Sequence, residues 1–233
     1  MLKIGYLLLS LLMTIIVYLM GHYAINQSTA EAEKNKKRAS LLLGLCLWHL
    51  YLFLLGSSGY LTDLSFPPRF VTMMILPAFL FTGLFLARHR KSQWIQSIPP
   101  YWLAAFQSFR LIIESLFVFT LAAGLLHKNV TIEGYNYDMV FASTAPIVAF
   151  LAYRSKVLPK NLLKIWNYAG LLVIASIIIL FTTTIYFPAI YGPDTAPFPN
   201  DFGWYPYILV PGFLMPLAVF IHILSLVQLS AKQ

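Results

Sequence analysis

The stretch IGYLLLSLLMTIIVYLMGHYAI, residues 4–25, decides the fold because it contains no Lys, Arg, Asp or Glu. A helix of this length is about 33 Å long, enough to cross the roughly 30 Å hydrocarbon core of a bilayer. No small-residue cleavage pattern follows the stretch. We therefore expect a retained membrane helix rather than a removed signal peptide.

Similar apolar stretches recur along the whole chain, which is 59% hydrophobic and only 10% charged. Average soluble domains have about 45–50% apolar and about 25% charged residues. Backbone exposed to lipid must satisfy its own hydrogen bonds, so each stretch is expected to form a helix. The sequence predicts an all-α polytopic membrane protein, a single domain over residues 1–233 with seven transmembrane helices. The predicted spans are 4–25, 40–61, 68–88, 99–126, 138–154, 163–187 and 206–228.

Lys and Arg are concentrated in the loops on one side of the predicted bundle. That side has Lys34, Lys36, Lys37, Arg38, Arg88, Arg90, Lys91, Arg154, Lys156, Lys160, Lys164 and Lys232. The other side has only Lys3, Arg69 and Lys128. Basic loops remain in the cytoplasm, which predicts an N-terminus outside and a C-terminus inside. The net charge of +8 is thus explained by topology rather than nucleic-acid binding, and we expect a multi-pass protein of a cell membrane, the cytoplasmic membrane if bacterial.

Charged residues also occur inside the fourth predicted span, in FQSFRLIIESLF, residues 106–117. Gln107, Arg110 and Glu114 are three and four residues apart, so they share one helix face. One interpretation is that Arg110 and Glu114 neutralise each other and fix the span against its neighbours. The alternative is that the three residues bind a small polar ligand, since ionisable residues within the membrane mark functional sites by default.

Two histidines are predicted at a similar depth in the inner half of the bundle, His49 in the second span and His222 in the seventh. Together with Glu114 they would form a ligand set for Cu, Zn or Fe, with Arg110 balancing the charge. Cys46, three residues before His49, could add a thiolate. No spaced motif such as HExxH links these residues, and two haem-ligating histidines are a further alternative.

Two loops on the predicted outer side carry distinctive residues. The loop 188–206 is rich in proline and aromatic residues and has no Lys or Arg, so we expect an ordered cap over the bundle, with a ligand lid as the alternative. Glu133, Asn136 and Asp138 lie before the fifth span. Asp138 is predicted to cap that helix, with a cation entry site as the alternative.

Two resemblances follow from these patterns. The elements Gln107-x-x-Arg110-x-x-x-Glu114 and Glu133-Gly134-x-Asn136-x-Asp138 resemble those of a group of bacterial seven-helix membrane proteins, a resemblance that implies no particular activity. The predicted layout is similar to that of microbial rhodopsins and G-protein-coupled receptors. Because the last span, 206–228, has no lysine for a retinal Schiff base, no retinal is expected.

Several functional hypotheses remain open at this point. The first is a site for a transition-metal ion or small polar ligand, and metal analysis of purified protein would test the metal version. The second is a proton-coupled transporter in which Glu114 and the histidines move protons, which flux into proteoliposomes would test. The third is a receptor or assembly factor that uses the loop 188–206, which a co-purifying partner would support. The expected partners are thus the lipid bilayer and a small ligand or metal ion, and an unspecified membrane enzyme is the last possibility.

Overall fold

The computed structural model describes residues 1–154 and 159–231, with 153 and 154 described by backbone only. Within these ranges the regular structure is helical and contains no strand. The α-helices are α1 (Leu2–Ser28), α2 (Glu31–Ser57), α3 (Leu76–His89), α4 (Gln93–Ser97), α5 (Pro100–Phe106), α6 (Phe109–Ala122), α7 (Asp138–Ala142), α8 (Ala145–Arg154), α9 (Lys160–Tyr186) and α10 (Met215–Ser230). Lys156 and Lys232, both used to predict orientation, lie outside the described residues.

Six helical segments in the described part of the chain are long and apolar enough to cross a membrane. They are Leu2–Ser28, Glu31–Ser57, Val71–His89, Pro100–Ala122, Lys160–Tyr186 and Val210–Ser230. Each coincides with one of the predicted spans, so the prediction of a multi-pass all-helical protein is confirmed at this level. The reason is that long apolar runs leave the backbone no hydrogen-bonding partners in lipid except its own.

The fifth predicted span, 138–154, differs from the others. Its apolar helical part covers only Asp138–Ala152, about 22 Å at 1.5 Å per residue, and it is divided between α7 and α8. The preceding segment 123–137 packs into the bundle and buries Leu126, Val130 and Asn136. Irregular backbone of this kind is tolerated near lipid only where protein surrounds it.

The helix α10 occupies the centre of the bundle, where it packs against α3, α4, α5 and α9, while α1 packs against α2, α4 and α6. In the segment Val210–Ser230, 67% of the most apolar 18-residue stretch is buried, whereas the corresponding share in Glu31–Ser57 is 11%. Side chains on this central helix therefore contact protein on most sides, which makes it the natural carrier of a buried site.

Two of the long segments begin with one π-helical turn that passes directly into an α-helix. Val71–Ile75 precedes α3, and Val210–Leu214 precedes α10. In both cases a proline, Pro77 or Pro216, is the second residue of the α-helix. Proline has no N–H, so the carbonyl four residues earlier loses its helical partner. These carbonyls belong to Met73 and Gly212.

Side chains of α2 satisfy both of these carbonyls. The indole Nε1 of Trp48 donates to the Gly212 carbonyl at 2.9 Å, and the hydroxyl of Tyr51 donates to the Met73 carbonyl at 2.8 Å. The two aromatic rings lie next to each other, with centroids 5.3 Å apart. Two neighbouring side chains of α2 therefore bind both broken helices through the carbonyls that the prolines leave free.

The two broken helices are also related in sequence. When residues 66–83 are aligned without gaps to 205–222, four positions are identical: Pro67 and Pro206, Val71 and Val210, Pro77 and Pro216, and Phe81 and Phe220. The two π-helical turns contact each other in the structure. The likeness of the two segments lies in the shared π-helical turn and in the proline that follows it.

We expect Trp48→Phe to lower the free energy of unfolding by about 1–3 kcal/mol, because it leaves the buried Gly212 carbonyl without a donor. Tyr168→Phe is the matched control, since Tyr168 is 61% exposed and its loss should change stability little. Chemical denaturation in detergent measures both. Adding Pro216→Ala should recover part of the loss by restoring a backbone N–H; a double variant no more stable than Trp48→Phe would contradict this account of the break.

Candidate functional site

A buried ion pair between Arg110 on α6 and Asp138 at the start of α7 forms the centre of the site. The Nε of Arg110 donates to Asp138 Oδ2 at 3.0 Å, and its Nη2 donates to Asp138 Oδ1. Both residues are buried. The arginine therefore pairs in bidentate fashion with a residue 28 positions away, not with Glu114 as the spacing predicted. The prediction that Asp138 caps its helix is also wrong, because the cap position is Tyr137.

His222 on α10 continues the network from the other side of the guanidinium. Its Nε2 lies 3.3 Å from Arg110 Nη1 and its Nδ1 lies 2.9 Å from Asn167 Oδ1. The Asn167 amide nitrogen donates to Leu163 O and Ser225 Oγ. This pattern assigns the proton of His222 to Nδ1 and makes Nε2 an acceptor from Arg110. The imidazole is thus neutral, and its free lone pair is already in use.

The packing around His222 leaves its ring one position. A Cβ at Gly170 of α9 would lie 2.3 Å from His222 Nε2, so only glycine fits there. The ring of Trp166 lies 5.4 Å from that of His222 by centroids. Arg110 lies over the ring of Phe141 at 5.2 Å, a cation–π contact. These contacts fix the guanidinium and the imidazole relative to each other.

Glu114 lies one turn beyond Arg110 on α6 and has a different partner. Asn136 Nδ2 lies 3.1 and 3.0 Å from the two carboxylate oxygens and also donates to Val130 O. The Asn136 side-chain oxygen accepts from the backbone N–H of Asp138. Asn136 therefore joins Glu114 and Asp138 and holds the segment 123–137 against α6.

The turn that begins the same segment is shaped by His127. Its Nδ1 accepts a hydrogen bond from the backbone N–H of Asn129 at 3.1 Å, which requires an unprotonated nitrogen. The ring also stacks on Phe198 of the loop 188–206, so the two loops pack together.

A cavity of about 100 Å³ begins at these ionic residues. Arg110, Glu114 and Asp138 line one end, and the other walls are almost wholly apolar. The two π-helical turns, 71–75 and 210–214, both contribute lining residues, as does the face of α9 between Ile174 and Tyr186. The cavity therefore lies between the two related broken helices and offers an apolar chamber that ends in charges.

The loop 188–206 forms part of the cavity wall. Phe198 and Phe202 line the chamber and are buried. The ring of Phe202 lies 6.0 Å from that of Phe117, and the ring of Phe198 lies 5.9 Å from that of Phe181. The loop therefore packs against the cavity, as both the predicted cap and its alternative, a ligand lid, require.

Gln107 was predicted to belong to the same polar face and does so only indirectly. Its Nε2 donates to the Ala218 carbonyl of α10 at 3.0 Å, while its Oε1 is buried without a hydrogen-bond partner. It does not line the cavity. This hydrogen bond joins α10 to the junction between α5 and α6. Gln107 therefore helps to position the helices that carry the site.

The predicted metal-ligand set is not brought together. Among the described residues no group of three or more His, Cys, Asp or Glu side chains is placed to hold a metal ion. His49 bonds Leu45 O and Thr14 Oγ1 and packs on Phe213. Phe213 and His222 are nine residues apart, about 13 Å along a helix. Both imidazoles have protein partners on both nitrogens, and Cys46 is exposed.

Three residues of the site were not identified from the sequence. Asn167, Trp166 and Gly170 are all on α9 and all contact His222. The signal available was the spacing of three and four residues, which places them on one helix face, but nothing in the sequence alone joined that face to α10. No protein family, curated protein or solved structure matches this chain.

Removing one partner of the central ion pair should be strongly destabilising. We expect Asp138→Asn to lower the free energy of unfolding by about 3–5 kcal/mol, because an unpaired guanidinium would remain buried. Asp194→Asn, at an exposed position, is the control and should have little effect. Chemical denaturation in detergent measures both variants.

The double variant Arg110→Met, Asp138→Leu tests the same interpretation from the other direction. It removes both charges together, so its stability should return most of the way to that of the parent protein. A double variant as unstable as Asp138→Asn would show that the pair is not the cause of the loss.

Proposed function

We propose that this membrane protein binds one small ligand that is apolar over most of its length and polar at one end. The observation that supports the proposal is the cavity of about 100 Å³, whose walls are mostly apolar and whose charged lining residues are Arg110, Glu114 and Asp138. Ligand sites are typically apolar chambers with a few convergent polar groups. If these charged residues had only a structural role, the protein could pack around them without leaving a cavity beside them.

The size of the chamber limits the ligand. An apolar cavity of about 150 Å³ holds one benzene molecule, so a chamber of about 100 Å³ encloses about four carbons of a chain. The end of a longer chain would extend out of the chamber. Side chains between 177 and 186 on α9, and between 68 and 71, are only partly buried and line the chamber. We infer that the ligand enters from the lipid between these two segments.

Equilibrium dialysis of labelled hexanol against nanodiscs with and without the protein tests the proposal. We expect saturable binding that Ile178→Phe weakens by about tenfold, because Ile178 lines the cavity and the larger ring fills it. Ile179→Phe is the matched control, since the neighbouring Ile179 is 62% exposed and does not line the cavity. Equal uptake by protein-containing and empty nanodiscs would remove the proposal.

We also propose that the chain crosses the membrane seven times, with the N-terminus outside. The support is the distribution of Lys and Arg and the pairing of the short helices α7 and α8 with the buried segment 123–137 as a composite fifth span.

Single cysteines in a Cys46→Ser background test this topology in intact cells. A membrane-impermeant maleimide should label Asp194→Cys directly and Lys36→Cys only after permeabilisation. Labelling of both in intact cells, or of Lys36→Cys alone, would contradict the orientation.

Two other hypotheses stay predictions. Proton-coupled transport gains support from the pair of related broken helices around the cavity, because secondary transporters often bind substrates between repeats at discontinuous helices. A receptor or assembly role would use the outer surface of the loop 188–206. Binding of a metal ion finds less support, since the imidazoles of His49 and His222 are occupied by protein partners.

A further inference from the structure

The three ionic residues at the end of the cavity are not equivalent, and the difference bears on the ligand. Asp138 receives two N–H groups of Arg110, so these two charges neutralise each other. Glu114 forms no ion pair within the described residues. Its only hydrogen-bond donor there is the neutral amide of Asn136. The cavity therefore ends in one carboxylate without a cationic partner.

That carboxylate also has unused hydrogen-bonding capacity. An ionised carboxylate offers about four acceptor positions, and a single amide nitrogen serves both oxygens of Glu114. Arg110 directs three of its five N–H groups to Asp138 and His222, and it forms no ion pair with Glu114. Burial without a counter-charge disfavours the ionised form of Glu114. A ligand end with N–H groups and a positive charge would stabilise that form, whereas a carboxylate or phosphate would not.

We propose that the ligand is a lipophilic primary amine whose ammonium group binds Glu114 while its carbon chain fills the apolar chamber. This inference rests on the proposed function and adds the chemical class of the ligand. The chamber walls around Ile174, Phe181 and Leu214 are apolar and suit the chain. The ammonium group supplies up to three donors to the acceptor positions on the Glu114 oxygens that Asn136 does not use.

Three probes that share one chain length separate the contributions of charge and chain. Hexylamine, hexanol and hexanoate are dialysed against nanodiscs containing the protein, with empty nanodiscs as the reference for partition into lipid. At pH 7 the amine is protonated and the acid ionised. We expect hexylamine to bind at least about tenfold more tightly than hexanol, and hexanoate more weakly than both, because charge complementarity favours the cation.

The variant Glu114→Gln provides the second arm of the test. Glutamine retains an oxygen that can accept from Asn136, so the segment 123–137 should keep its position. Hexylamine affinity should then fall to that of hexanol, while hexanol binding stays unchanged. Loss of hexanol binding as well would mean that the variant had altered the chamber. In that case Glu114→Asp, which keeps the charge, becomes the deciding variant, and it must retain the preference for the amine.

The outcomes distinguish this inference from the proposal on which it rests. If hexanol and hexanoate bind as tightly as hexylamine, and Ile178→Phe weakens all three, the cavity is a ligand site but the amine assignment is overturned. If none of the probes binds beyond the empty nanodiscs, the proposed function fails together with the assignment. A preference for hexylamine that persists in Glu114→Gln also overturns the assignment, because the carboxylate would not be its cause.

Discussion

The ion pair of Arg110 and Asp138 determines how the middle of the bundle is arranged. Two charges in so apolar an environment are tolerated only when each has partners, because a buried guanidinium without a counter-ion costs several kcal/mol. Asp138 can reach Arg110 only if the segment 123–137 enters the bundle instead of staying outside it. Three features follow from this requirement. They are the short helices α7 and α8, the burial of Asn136 and the position of Glu114 beside the cavity.

A second constraint operates at the broken helices. The prolines at 77 and 216 leave the carbonyls of Met73 and Gly212 without backbone donors, and Tyr51 and Trp48 supply replacements. The π-helical turns beside these prolines place residues such as Val71 and Val210 where they line the cavity. The chamber thus depends on two helices that deviate from regular geometry beside a proline. The helix α2 donates hydrogen bonds to the carbonyls that these prolines leave without a partner.

The sequence predicted most of the spans but less of the site. Long apolar runs identify helices such as α1 and α9 because the bilayer imposes one solution on the backbone. The spacing of Arg110 and Glu114 suggested a local pair, yet Arg110 binds Asp138 on another segment. Local periodicity carries no information about which distant segment approaches a given face, so Asn167 and Gly170 were missed. His49 and His222 were predicted at a similar depth, but His49 packs on Phe213, nine residues before His222, so the two histidines lie at different depths.

The break that the two helices share has one further consequence. In the alignment of 66–83 with 205–222, the position equivalent to His222 is Gly83, and a Cβ there would meet no neighbouring atom. Both helices contain a π-helical turn, but only the second one supplies an imidazole to the polar network.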